Sequence, residues 1–105
     1  MTYSVELTEQ AESDLRSIFE YIAFELNSLQ NATGQLNRLE KSIKGLKQMP
    51  ERFKIYDREP WRSRNLRIMP VDNYLVFYIP NVLNNSFVIY LMSFLIFYLR
   101  KILAF

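Results

Sequence analysis

The apolar positions of the chain change their period after residue 7. Tyr3, Val5 and Leu7 alternate with Thr2, Ser4 and Glu6, the two-residue repeat of a half-buried strand. Beyond it, Ala11, Leu15, Ile18, Ile22 and Leu26 recur every three or four residues and predict one apolar face of a helix. Thr8 offers an N-cap hydroxyl, and Glu9 and Glu12 suit the positive end of the helix dipole. Asn27-Ser28 loosens this helix, and a second is predicted from about residue 29 to 47. Its Leu36, Leu39, Ile43 and Leu46 are spaced as a seam against another helix. Arg38, Lys41, Lys44 and Lys47 lie three apart on a different side and read as a solvated face. Pro50 ends the helix, so the pair predicts an antiparallel helical hairpin.

Residues 51–64 read as a basic loop. Three strand-like runs come after it, at 66–69, 74–79 and 87–92, with turns at 70–73 and 80–86. The order β-α-α-β-β-β predicts a single α+β domain over residues 1–105, its helical hairpin packed on one face of a mainly antiparallel sheet. From Tyr74 through Leu99 there is no charged residue. The apolar run of 87–99 is shorter than the ~20 residues a membrane helix needs, and Ser93 interrupts it. It reads as a core strand followed by an apolar C-terminal helix, an atypical extension from about residue 91, and no membrane contact is expected. Such a tail needs cover from the domain, a partner or a second copy, so oligomerisation through the C-terminus is one expectation.

Composition narrows the chemistry. The 105 residues include no cysteine and no histidine, which removes disulfides, thiolate nucleophiles and imidazole catalysis. No metal and no organic cofactor is expected, and two glycines leave little for a phosphate-cradling loop. The opening residues have neither the basic nor the apolar region of a signal peptide, so a cytoplasmic location is expected. The net charge of +2 conceals an asymmetry. Residues 1–30 carry six acids and one base, a net −5, whereas residues 31–67 carry ten bases and four acids, a net +6. An anionic partner is therefore expected on the middle third.

Within that third stand Glu51, Arg52, Lys54, Arg58, Trp61, Arg62, Arg64 and Arg67. Bases interleaved with aromatic rings suit RNA, because guanidinium groups neutralise phosphates and flat rings stack on unpaired bases. A solvated basic loop without a function has the same composition.

The order of several segments resembles RelE/ParE-superfamily toxins. These are Tyr3-Ser4-Val5-Glu6-Leu7-Thr8 with Ala11-Glu12 and Asp14-Leu15, then Met49-Pro50-Glu51-Arg52-Phe53, Glu59-Pro60-Trp61-Arg62-Ser63-Arg64, Leu66-Arg67, and Asn73-Tyr74-Leu75-Val76-Phe77-Tyr78. The resemblance spans roughly residues 3–80. It implies a RelE-like fold and the toxin of a type II toxin–antitoxin (plasmid stabilisation) system, held inactive by a cognate antitoxin.

The superfamily implies two activities. RelE- and YoeB-like members are ribosome-dependent mRNA interferases, endoribonucleases that cut by transesterification in the ribosomal A site. ParE-like members inhibit DNA gyrase. By resemblance to the YoeB-type stretch, Glu51 is the candidate general base, with Arg52, Lys54, Trp61, Arg62 and Arg64 as RNA-binding residues. Tyr74 falls where those nucleases place a catalytic arginine, and Pro70 and Leu91 stand at two further arginine positions. Tyr98 is the remaining tyrosine of the tail. Arg67 is the cation that could substitute, so Glu51, Arg67 and Tyr74 form the candidate catalytic set. The expected function is a ribosome-dependent mRNA interferase of impaired activity acting on ribosome and mRNA. The alternatives are a ParE-type gyrase inhibitor and an inactive toxin that only binds its antitoxin. A non-toxic nucleic-acid-binding module is the reading from another class.

Overall fold

The computed structural model describes residues 3–94, so the predicted C-terminal helix, Tyr98 and the proposed self-association through the tail lie outside the described residues. The elements are β1 (Ser4–Leu7), α1 (Glu9–Glu20), a π-helical turn (Tyr21–Glu25), α2 (Leu29–Gly45), β2 (Arg67–Val71), β3 (Tyr74–Asn81) and β4 (Ser86–Phe94). The sheet runs β1-β4-β3-β2, with β1 parallel to β4 and the other pairs antiparallel. The architecture is the α+β arrangement that the sequence predicts.

Thr8 both starts α1 and ties it to the sheet. Its hydroxyl accepts from the Ala11 amide at 3.0 Å and donates to the Tyr90 carbonyl at 2.6 Å. Six residues on, the Asp14 carboxylate accepts from the Met92 amide at 3.0 Å. β1 ends where Leu7 meets Ile89. Beyond that point these two side chains take over hydrogen bonding along the open edge of β4.

The apolar face of α1 stops short of Leu26. The Leu26 amide bonds the Tyr21 carbonyl, a five-residue step. The wider π turn rotates the next residues off the 3.6-residue period, and Leu26 is 57% exposed. Asn27 then adopts a positive φ of 53°, and Ser28 restarts the chain by accepting the Asn31 amide as the N-cap of α2. On α2 the buried face is Ala32, Gln35, Leu39, Ile43, so Leu36 of the predicted seam is only half-buried. Gln35 is drawn in by Asp72 in the β2–β3 turn, to which it donates at 3.1 Å, while Arg38 Nε donates to the same oxygen at 2.7 Å. The Arg38 hydrogen bond holds the Asp72 carboxyl below the usual carboxylate range.

β2 also runs further than its sequence suggests. Pro70 and Val71, read as turn residues, are paired with Leu75 and Tyr74, and the turn is reduced to Asp72-Asn73, with Asp72 at φ 55°. The Ile68 amide points outward to the Lys54 carbonyl. Pro70, two residues on, takes the next outward position of an edge strand, where its missing donor costs nothing.

Both faces of the sheet are covered, which is why β3 reads as an unbroken apolar run rather than an alternating one. The helix side packs Ile18, Ile22, Leu39, Ile43 and Leu46 against Met69, Val76, Tyr78, Phe87 and Ile89. On the second face Leu66, Leu75 and Phe77 gather Tyr56, Trp61, Ile68, Ile79, Tyr90 and Leu91. A bulge serves that second face. Phe77 lies opposite Leu91 and Tyr78 opposite Ile89, leaving Tyr90 as the extra residue, so Tyr90 and Leu91 both join the cluster.

Candidate functional site

The basic loop is built onto the free edge of β2. Ile55 bridges Arg67, the Tyr56 amide bonds the Leu66 carbonyl at 2.8 Å, and residues 57–65 close into tight turns. Asn65 ends them at φ 64°. The Glu59 carboxylate accepts from the Ser63 hydroxyl and amide, which lowers the Glu59 pKa, and the Glu59–Pro60 bond is cis. Two aromatic anchors seat the loop on the second face of the sheet: Tyr56 against Phe77, and Trp61 edge-on to Tyr90 with centroids 5.3 Å apart.

Upon these anchors the loop presents its cations. Arg64 lies over the Trp61 ring at 5.4 Å and Arg52 over Phe53 at 5.3 Å, contacts that orient each guanidinium without neutralising it. Arg62 stands 3.4 Å from Asp57 with both side chains largely in water. Arg52, Lys54, Arg58, Arg62 and Arg64 are all exposed, and Trp61 is half-buried. The five predicted RNA-binding residues thus lie on this one loop and its lead-in.

The candidate catalytic set divides differently. Arg67 and Glu51 are brought together, with Nη2 3.4 Å from the Glu51 carboxylate. The same guanidinium donates to the carbonyls of Glu51 and Phe53, at 2.9 and 2.7 Å, and to the Asn65 amide oxygen at 3.0 Å. Only 14% of the Arg67 side chain is exposed, and Nε has no partner among the described residues. Arg67 therefore fastens both ends of the loop. In β2 it alternates with Ile68 of the second face, so it emerges on the helix side, away from Trp61. Tyr74 is 3% exposed in the helix-side core, where burial raises its pKa. It lies four residues along β3 from Tyr78, the residue opposite Arg67, a separation of about 13 Å. Tyr78 is buried too. It donates to the Pro50 carbonyl at 2.6 Å, and burial pushes its phenol up to about 12. Leu91, on the second face, packs among apolar side chains.

The arrangement offers a rigid cationic surface. Among the described residues no group of acidic or histidine side chains is placed to hold a metal ion, and no helix is long and apolar enough to cross a membrane.

A surface that the sequence pattern did not announce lies on the helix side of the sheet. Tyr21, Phe24, Leu26 and Leu29, at the tip of the helical hairpin, are 43, 74, 57 and 65% exposed. Tyr21 and Phe24 fall outside the apolar face predicted for α1, and Leu29 outside the seam predicted for α2.

Fold and sequence together define a RelE/ParE-superfamily toxin of the type II toxin–antitoxin class. A family model described as the ParE toxin of the type II toxin–antitoxin system, parDE, matches residues 5–98, and the chain belongs to that family. Membership implies a cognate antitoxin. Among solved structures, the chain is similar to one described as the chromosomal ParDE TA system from P. aeruginosa, at 16% identity and a TM-score of 0.70, over 89% of this chain and 96% of that one. That likeness is one of fold. No curated protein matches the sequence.

Proposed function

We propose that this toxin acts by gripping a protein target, DNA gyrase, rather than by cutting RNA. The observation behind the proposal is the commitment of Arg67. Transesterification needs a base, a cation at the developing phosphorane and an acid at the leaving oxygen, held around one phosphodiester. The cation beside Glu51 is already engaged by two carbonyls, an amide and a carboxylate. Tyr74 is buried away from it, and the face beneath the cationic loop is apolar at Leu75, Phe77 and Leu91. An exposed cationic loop remains, suited to an acidic antitoxin segment or to the DNA held by the target.

The mRNA-interferase reading keeps one specific support, the presence of Glu51, Lys54, Arg62 and Arg64 on one connected stretch. Induced expression separates the two. The expected result is growth arrest with intact mRNA and trapped gyrase–DNA complexes, relieved by the neighbouring antitoxin gene. Cuts at A-site codons that vanish in Glu51→Gln would instead establish the nuclease.

A further inference from the structure

We infer that the tip of the helical hairpin is a second docking surface, and that its occupant is a basic, apolar-anchored segment of the toxin's protein target. Asp14 reaches Met92 near the end of β4, and Gln35 and Arg38 reach Asp72 in the β2–β3 turn. Phe24 is ten residues beyond Asp14, about 15 Å of helix, so the tip stands past the end of the sheet as far as the described residues run. There Tyr21, Phe24, Leu26 and Leu29 expose apolar surface within nine residues of chain. Scattered single apolar residues need no explanation, but a cluster on a projecting tip marks an interaction site. The π turn completes the cluster, because it carries Leu26 off the buried face and next to Phe24, which lies outside that face in any case.

The sign of the surrounding charge selects the occupant. Residues 17–37 contain Glu20 and Glu25 and no lysine or arginine. Neither acid has an ion pair among the described residues, and Glu25 ends the continuous helical run of α1 and the π turn, where the helix dipole disfavours negative charge. The dipole thus gives no reason for Glu25, whereas a cationic partner does. The cationic loop lies on the opposite side of the sheet and suits an acidic partner. Two surfaces of opposite sign on opposite faces point to two partners, with the antitoxin on the loop and the target on the tip.

The inference rests on the proposed function only in taking the target to be a protein. Its test is the triple variant Phe24→Ser, Leu26→Ser, Leu29→Ser, all at exposed positions, in the full chain. Growth arrest on induction and inhibition of purified gyrase should each fall at least tenfold, while affinity for the antitoxin stays within about twofold. Glu20→Gln with Glu25→Gln should weaken target binding and flatten its salt dependence. Because the chain has no cysteine, Phe24→Cys provides a single thiol that a maleimide should label quickly in the isolated toxin. Slow labelling would mean that a second copy or the chain's own residues 95–105 cover the tip, and would overturn the inference. Full growth arrest by the triple variant, or a tenfold loss of antitoxin binding, would overturn it too. So would a wild-type chain that neither arrests growth nor binds gyrase. If the wild type arrests growth without touching gyrase and the triple variant does not arrest growth, the tip surface stands and the gyrase reading falls.

Discussion

Tyr78 donates its hydroxyl proton to the carbonyl of Pro50 at 2.6 Å, joining the middle of β3 to the point where the chain leaves the helical hairpin for the cationic loop. Both residues are buried. Tyr78→Phe leaves that carbonyl without its donor and should cost about 1–3 kcal/mol in urea unfolding at neutral pH. The alkaline limb gives a second check. Burial holds the phenol up to about 12 in the fold, while the unfolded chain releases its proton near pH 10. Between those values the folded state binds more proton, so stability should fall as pH rises from about 10 to 12. Tyr78→Phe should remove that part of the decline.

Arg67 is a fastener, and its replacement should be felt in the loop before anywhere else. Arg67→Met strands the part-buried carbonyl of Phe53 and releases the exposed Glu51 carboxylate to water, and should destabilise the fold by about 1–3 kcal/mol. Arg67→Lys should recover little of this, because an ammonium cannot present the planar fork that meets four acceptors. Limited trypsin digestion should show early cuts at Arg52, Lys54 and Arg58 in both variants. Wild-type protection in Arg67→Lys would show that the loop is held by its aromatic anchors alone.

The elements were legible where a single local pattern decided them. Thr8 as a cap, the strand of Tyr3, Val5 and Leu7, and Leu39, Ile43 and Leu46 on α2 all come from spacing. Legibility failed where a distant partner overrode the pattern. Asp72 pulls Gln35 into the buried face that Leu36 was expected to hold, and edge position lets Pro70 enter a strand. The π turn shifts the phase at Leu26, a change of winding that no residue type announces. The cationic loop itself was readable from composition. That Arg67 turns to the helix side and Tyr74 into the core depends on strand register, which one sequence does not encode locally.

The Arg38–Asp72 pair should be a modest contributor with an acid signature. Both side chains are partly in water, so Asp72→Asn should cost about 0.2–1 kcal/mol at neutral pH while keeping the positive φ that asparagine tolerates. The Asp72 pKa is lowered in the fold, so its stabilisation is complete above the ordinary aspartate range and is lost as pH falls through the folded value. Thermal unfolding below pH 4 should therefore decline less in Asp72→Asn than in the wild type. A double-mutant cycle with Arg38→Met should return a coupling of the same small size.

Arg62 and Arg64 stand on the rim of the loop rather than in a buried pocket, which predicts an effect on encounter. Replacing both by alanine should slow association with the antitoxin several-fold at low salt and leave the rate nearly unchanged at high salt. Stopped-flow binding across a salt series measures this. Equal salt slopes for variant and wild type would place the antitoxin elsewhere.

Leu91 separates the two readings of the site most directly. By resemblance its position is one where an arginine would stabilise a phosphorane, so an impaired nuclease should regain mRNA cleavage in Leu91→Arg. The structure leads to a different expectation. Leu91 shares the bulge with Tyr90 and lies opposite Phe77, and its side chain completes the apolar bed of the cationic loop. A guanidinium there meets Leu75, Phe77 and Ile79 and no carboxylate of the candidate set, because Glu51 is held by Arg67 on the helix side. The substitution should therefore add no cleavage. It should instead cost about 1–3 kcal/mol through lost packing and a poorly solvated charge. The Trp61–Tyr90 contact should loosen, visible as a red shift in the fluorescence of the single tryptophan. Cleavage that appears in Leu91→Arg with tryptophan emission unchanged would return the protein to the nuclease branch and place its reaction on the second face of the sheet.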